Sequence, residues 1–446
     1  MARTYKSPGA YVEEIANPQA EALALETTVP AFIGYTDKGV EKLTFRKIVS
    51  LKEFQEHYCE PDKKAGHFNT AGQRITRDLL KNELYYHMKL YFANGGSACY
   101  VLSLGRRAKD SRGSKDDFLE GLAMLAAEDE PTLLVMPELT RLDFRDCMEV
   151  YQAALAQAAA KLNRFVILDV PEGSDALRAF REGIGSNNLS YGAAYYPYLQ
   201  IAVSEDDRED SSFNASIDQA QKDKGFKTPY RLKHGQNDTG DRRSIKITSP
   251  PVLTLPPGAA IAAIYCHTDK TRGIWKAPAN VSLQGVLALD RNLSAEEQAE
   301  LGADATGGKA INLIRSFPGK GILVWGARTL DGPGSEWKHV NVRRLCGFVE
   351  KSLTKTLAGF VFEPNEKNTW LRVTTMAENF LAALWRQGAL VGLKPEEAFF
   401  VKTGLGSTMT PEDVKKGLII VMIGLAVLRP AEFLIIRFSQ KIQAGL

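Results

Sequence analysis

Histidine and cysteine are scarce in this chain, and their scarcity removes several kinds of chemistry at once. Its 446 residues include 6 histidines and 5 cysteines, the latter at 59, 99, 147, 266 and 346. The cysteines are far apart, odd in number and without paired spacing, which fits free thiols in a reducing cytoplasm rather than a disulfide framework. A charge excess is missing too. The balance of 56 Lys+Arg against 53 Asp+Glu leaves no field with which to recruit nucleic acid or an anionic membrane. Long apolar runs are also lacking. Leu418–Leu428 is the one membrane candidate, and at 11 residues it falls short of the ~20 that a spanning helix requires. It reads as a buried strand. The N-terminus, Met1 to Gly9, has no apolar core of the secretory kind, so Sec export is not expected.

Catalytic motifs are absent in the same way. A serine hydrolase needs a Ser within reach of a His and a carboxylate to orient it. None of His57, His67, His87, His234, His267 and His339 sits in a Gly-rich helix start followed by a Gly-x-Ser nucleophile motif, and the nearest mimic is Ser407 in Gly404-Leu405-Gly406-Ser407. A P-loop needs its first glycine and a final hydroxyl. Around Gly307-Gly308-Lys309-Ala310 the first position is Ala303 and the last is Ala310, so a glycine-rich loop is the better reading. His57 near Cys59, and Cys266 beside His267, lack a second half at zinc spacing. No catalytic, cofactor-binding or metal-ligating residue is expected.

What the chain does contain is a long alternation of apolar strands and amphipathic helices. Its length predicts two or three domains, because single cores stop growing at roughly 250 to 300 residues. Residues 1–22 read as an arm, with a short strand over Tyr11, Val12, Glu13, Glu14 and Ile15. From 23 to 104, strands at Val29–Tyr35 and Cys99–Leu104 flank helices at Ser50–Tyr58 and Thr76–Phe92. From 105 to 330 the unit repeats. Helices over Asp116–Ala127 and Phe144–Leu162 alternate with strands Thr132–Met136, Phe165–Val170 and a Tyr-rich Tyr191–Ile201. Continuous apolar strands between helices predict a parallel sheet covered on both faces. Ser204–Lys246 breaks the pattern with nine acidic and nine basic residues, and is expected as an exposed insertion. Pro257 starts a helix, and Pro318-Gly319-Lys320 turns a hairpin between Ile311–Phe317 and Gly321–Thr329.

Residues 331–446 predict a compact α+β domain: helices Val342–Ala358 and Lys367–Gln387, a strand Ala398–Lys402 and two terminal apolar strands. Trp370, Leu371, Phe380, Leu381, Leu384 and Trp385 fall at helical spacing and are expected in its core. Arg343 and Arg344 have two readings, a solvated helix face or an ion pair to another subunit. Thr410-Pro411-Glu412-Asp413 is a helix start, with Thr410 as cap. The chain then ends in Phe433, Leu434, Ile435, Ile436, Arg437 and Phe438, a β-branched segment suited to pairing with another sheet.

Several of these stretches, in order, resemble the contractile-tail sheath proteins that jacket phage tails and related injection machines. They are Pro257–Ala262, His267–Asn280, Trp337–Arg344 and the run from Leu418 through Arg429-Pro430-Ala431-Glu432-Phe433 to Gln440. The resemblance implies a subtilisin-like α/β middle domain, a compact α+β C-terminal domain lying innermost, and strand arms at both ends. It implies many copies in hexameric rings, stacked helically around an inner tube protein with baseplate and terminal cap proteins as further partners. Contraction would drive the tube through a target envelope, with neither nucleic acid nor membrane insertion involved. Assembly is expected in the bacterial cytoplasm, with release in a phage tail or injection particle after lysis. Glu412, Asp413, Lys415 and Lys416 are then candidate tube contacts, the alternative being a solvated connector. The rival readings of the whole chain are a non-contractile tube or baseplate protein and a subtilisin-fold serine hydrolase.

Overall fold

The computed structural model describes residues 26–430 apart from 39–40, 61–73, 76, 78–79, 81, 109–110, 174, 204–250, 294–296, 298–308, 333 and 361–362. Both expected arm segments, the insertion Ser204–Lys246 and Gly307-Gly308 lie outside the described residues. The chain divides into two units, a large one over Glu26–Lys351 with Leu428–Pro430 and a small one over Ser352–Val427.

In the large unit the strands are β1 Pro30–Gly34, β2 Thr44–Ile48, β3 Arg74–Ile75, β4 Cys99–Ser103, β5 Leu133–Val135, β6 Phe165–Asp169, β7 Gly192–Tyr196, β8 Leu199–Ala202, β9 Val252–Leu255, β10 Val281–Ser282, β11 Val286–Leu289, β12 Ile311–Phe317 and β13 Gly321–Val324. Nine of them form one sheet in the order β10-β13-β12-β7-β6-β5-β1-β4-β2. Its centre, from β4 to β12, is parallel, and antiparallel strands close both edges.

Side-chain alternation explains why this sheet is covered twice. Phe32, Leu133, Val135, Phe165 and Ile167 face a core shared with helices Glu83–Ala93 and Gly258–Arg272. Their neighbours Ala31, Ile33, Leu134, Val166 and Leu168 face a second core with helices Lys115–Leu125 and Phe144–Lys161. Every residue of β1, β5, β6 and β7 is buried. The expected parallel α/β layer is therefore present.

The strand expected over Gly321–Thr329 ends at Val324, and two further boundaries differ for local reasons. The helix expected from Thr76 begins at Glu83, because the Asn82 side chain accepts from Tyr85 N–H at 3.0 Å and caps it there. Arg74 and Ile75 instead pair with β9. Tyr191–Ile201 is two strands rather than one. Pro197, which has no N–H to give a ladder, separates β7 in the large sheet from β8 in a second sheet, ordered β11-β8-β9-β3.

The small unit holds helix Lys367–Arg386, short helices Pro395–Ala398 and Pro411–Lys415, and a two-stranded ribbon of β14 Phe399–Thr403 and β15 Val421–Leu425. The long helix buries Val373, Ala377, Phe380, Leu381 and Leu384 at three- and four-residue spacing. Leu371, expected in this core, is 65% exposed. Trp370 and Trp385 are half-buried, and each indole N–H finds an acceptor: Asn365 Oδ1 at 2.7 Å and Gly392 O at 3.0 Å. The polar end of a Trp holds it at the rim of a core. The Leu418–Leu428 run is not a buried strand either. Leu418, Ile420 and Met422 are exposed, since a two-stranded ribbon leaves one face uncovered.

Candidate functional site: an internal charge cluster, a junction of two motifs and an open ribbon

Beyond the carboxyl ends of parallel strands, α/β sheets commonly leave a crevice for a ligand. Here the protein's own side chains occupy that place. Glu83 accepts from Arg77 Nε at 2.7 Å and from Arg141 Nη1 at 2.8 Å, and His87 Nε2 lies 3.3 Å away. Glu138, following β5, accepts from Tyr35 N–H at 3.3 Å just past β1, and Arg107 stands 3.7 Å from its other oxygen. Burial would raise the Glu83 carboxyl, but Arg77, His87 and Arg141 outweigh it and hold the group well below the usual range. Burial and the Glu83 charge push Glu138 up to about 7. Asp169, at the end of β6, is likewise raised to about 7 by burial although it accepts from Gly258 N–H at 2.7 Å.

Among the described residues this cluster does not bring a serine to its histidine. Burial lowers the basicity of His87, whose interactions run to Glu83 and Arg77 and not to a serine. Ser407 lies in the small unit, whose segment Ser352–Val427 contains no histidine. Among the described residues no group of three His, Cys, Asp or Glu side chains is placed to hold a metal ion.

The stretches His267–Asn280 and Trp337–Arg344, some seventy residues apart in sequence, come together in the large unit. Neither Arg343 nor Arg344 lies on a solvated face. Each is 7% exposed and is occupied within its own chain. Arg344 forks onto Asp269, with Nη1 to Oδ1 at 3.1 Å and Nη2 to Oδ2 at 2.7 Å, and its guanidinium lies 5.0 Å from the Tyr265 ring centre. Arg343 lies over Trp337 at 4.2 Å and Tyr191 at 4.6 Å. Burial would lower the Arg344 pKa, but the Asp269 carboxylate more than restores it. Asn341, on the same helix Val340–Leu357, donates to Trp275 O and to Leu428 O, both at 3.0 Å. Sequence reasoning singled out the stretches but missed Asn341 and Asp269 as the residues that join them, because contacts this distant in sequence leave no periodic signal.

In the small unit Pro411–Lys415 is a helix with the expected cap. Thr410 Oγ1 accepts from Asp413 N–H at 3.2 Å, and the Asp413 carboxylate accepts from Thr410 N–H at 2.9 Å. Those bonds hold Asp413 below its ordinary pKa. Glu412, Lys415 and Lys416 are exposed. The nearby ribbon pairs Phe399 with Leu425 through to Thr403 with Val421. Across it, Phe400 lies over Gly424, where a Cβ would stand 2.1 Å from the ring. No third strand joins this ribbon among the described residues.

Residues 333–441 match the phage tail sheath C-terminal domain, and over nearly its whole length the chain is 30% identical to a solved sheath chain; it belongs to the tail sheath protein family. That solved chain is the helical sheath of the anti-feeding prophage in its contracted state, with 98% of this chain and 100% of that one covered and a TM-score of 0.68. The sheath complex of the extracellular contractile injection system PVC, also contracted, is 28% identical with 99% of each chain covered and a TM-score of 0.67. The tail sheath protein of Vibrio phage KVP40 is 26% identical over 115 residues, 26% of this chain. The match spans 17% of that curated relative's own length.

Proposed function

We propose that this chain is the repeating subunit of a contractile sheath, stacked in hexameric rings around an inner tube and contracting to drive the tube through a target envelope. The observation that carries this reading is the end-to-end likeness to the helical sheath of the anti-feeding prophage, 98% of one chain against 100% of the other. The role is structural and not catalytic. The two-sided α/β layering of the large unit supports a subtilisin-like middle domain that carries no catalysis. Baseplate and terminal cap proteins bound the sleeve, and the finished particle is a phage tail or an extracellular injection device.

Tyr11–Ile15 and Phe433–Phe438 act as strands donated to neighbouring copies. The β14–β15 ribbon supports this, since two strands are marginal alone and backbone pairing with a third would complete them. A twenty-residue arm reaches on the order of 65 Å, enough to span to an adjacent subunit. Glu412, Asp413, Lys415 and Lys416 face the tube, because exposed ion pairs are weak enough to release during contraction. Ser204–Lys246 lies on the outside of the sleeve. Negative-stain microscopy of the subunit assembled with its tube protein tests the reading. A striated sleeve that shortens on triggering is expected; smooth tubes without a sleeve would sink it.

A further inference from the structure

Asn341 and Arg344 are three residues apart on one turn of helix Val340–Leu357, so their side chains leave the same side of it. Between them they hold the two places where the described chain begins and ends. Arg344 Nη2 donates to Thr27 O at 3.1 Å and to Thr28 Oγ1 at 2.9 Å, while its fork grips Asp269. Thr28 Oγ1 in turn donates to Asp269 Oδ2. Asn341 Nδ2 ties Leu428 O to Trp275 O. Both side chains are buried.

The surroundings make each hold rigid. Thr132 Oγ1 donates to Thr27 O at 3.2 Å and accepts from Val29 N–H at 2.8 Å, fastening the first root to the start of β5, a central strand of the sheet. Gly273, at φ +88, lets the Trp275 ring pack where a Cβ would stand 2.4 Å away, which fixes the Trp275 carbonyl beneath Asn341. Asp269 sits in the last turn of helix Gly258–Arg272, a buried element of the core. Releasing either root therefore strands a buried donor or charge, a loss much larger than that of an exposed contact.

We propose that the Asn341–Arg344 turn is a shared clamp for the roots of both arms, so that tension drawn on one arm by one copy of this chain passes through this turn to the other arm and the next copy. The helical rise sets the two grips about 4.5 Å apart along one axis. Load then bypasses the sheet, and the subunit core is not deformed as the lattice moves. This rests on the reading that the arms join neighbouring subunits.

The test uses the full chain with Asn341→Ala, with Arg344→Lys, which keeps a charge opposite Asp269 but loses the fork, and with both. On isolated subunits, hydrogen exchange is expected to rise at least tenfold over 426–430 in Asn341→Ala and over 26–29 in Arg344→Lys, with circular dichroism unchanged. Unchanged exchange at both roots would overturn the clamp. On sleeves, links in series fail at the weakest, so the double variant is expected to lose no more assembled length than the worse single variant; additive losses mean two independent anchors and overturn the coupling. If the wild type forms no sleeve on tubes, the assembly reading falls and the coupling with it, while the exchange arm still decides the anchoring.

Discussion

The two units differ in where their apolar side chains end up. Eight of the eleven exposed large hydrophobic residues belong to the small unit: Leu371, Val391, Leu393, Phe400, Leu405, Leu418, Ile420 and Met422, with Leu393 91% exposed. The large unit, several times longer, exposes only Val49, Phe144 and Trp325 among the described residues. Its charges follow suit, with Glu83, Glu138, Arg141 and Arg344 buried against partners of the same chain. One unit turns its large apolar side chains inward. The other leaves large apolar side chains in water, and where such side chains adjoin they mark a contact surface.

That contrast is open to direct attack. The largest effect is expected from removing residues 1–20: a subunit that still melts cooperatively but forms no sleeve by negative stain, because the cores lie elsewhere. Normal sleeves from that deletion would end the idea that the arms link subunits. Next come paired truncations. Phe32→Ala in the large core should cost about 3–5 kcal/mol in denaturant unfolding, whereas Leu393→Ser should stay within ~0.5 kcal/mol yet reduce assembly. A large folding loss from Leu393→Ser would erase the distinction between the units.

A smaller effect concerns the buried carboxyls of the large unit. Glu138 and Asp169 keep their protons to about pH 7 when folded, while carboxyls of the unfolded chain release theirs near pH 4. The stability they contribute is thus complete below about pH 4 and is lost as pH rises through about 7. Glu138→Gln removes that loss, so its unfolding free energy relative to wild type should climb between pH 5 and pH 8, by an amount on the order of 1–3 kcal/mol, most of it below pH 7. A flat difference across that range would show that Glu138 is not held neutral. The smallest effect belongs to the exposed helix. Reversing Lys415 and Lys416 to Glu should leave folding untouched and weaken assembly on tubes at low salt, with little difference at high salt. Unchanged assembly at low salt rules out the tube contact.

The large sheet was legible because its strands are continuous apolar runs, such as Leu133–Val135 and Phe165–Asp169, and because a cap such as Ser50 marks a helix start between them. Its departures have local causes. Only Pro197 marks the place where a Tyr-rich run changes sheets, and only the Asn82 cap moves a helix start seven residues. Leu371 and the Leu418–Leu428 run misled because hydrophobicity predicts burial in some partner, and the partner here is not within the described fold. Arg343 and Arg344 misled in the opposite sense. Their partners at 191, 269 and 337 are set by tertiary packing, and two adjacent arginines carry no mark of it.

The unfinished ribbon has a consequence for supply. Phe400 is 47% and Met422 51% exposed on a ribbon that no third strand joins among the described residues, the same features that let unrelated chains stick together. Surplus copies are therefore a hazard to their producer in proportion to their concentration. Self-association through the ribbon is expected to rise with concentration, so dilute handling favours well-behaved protein.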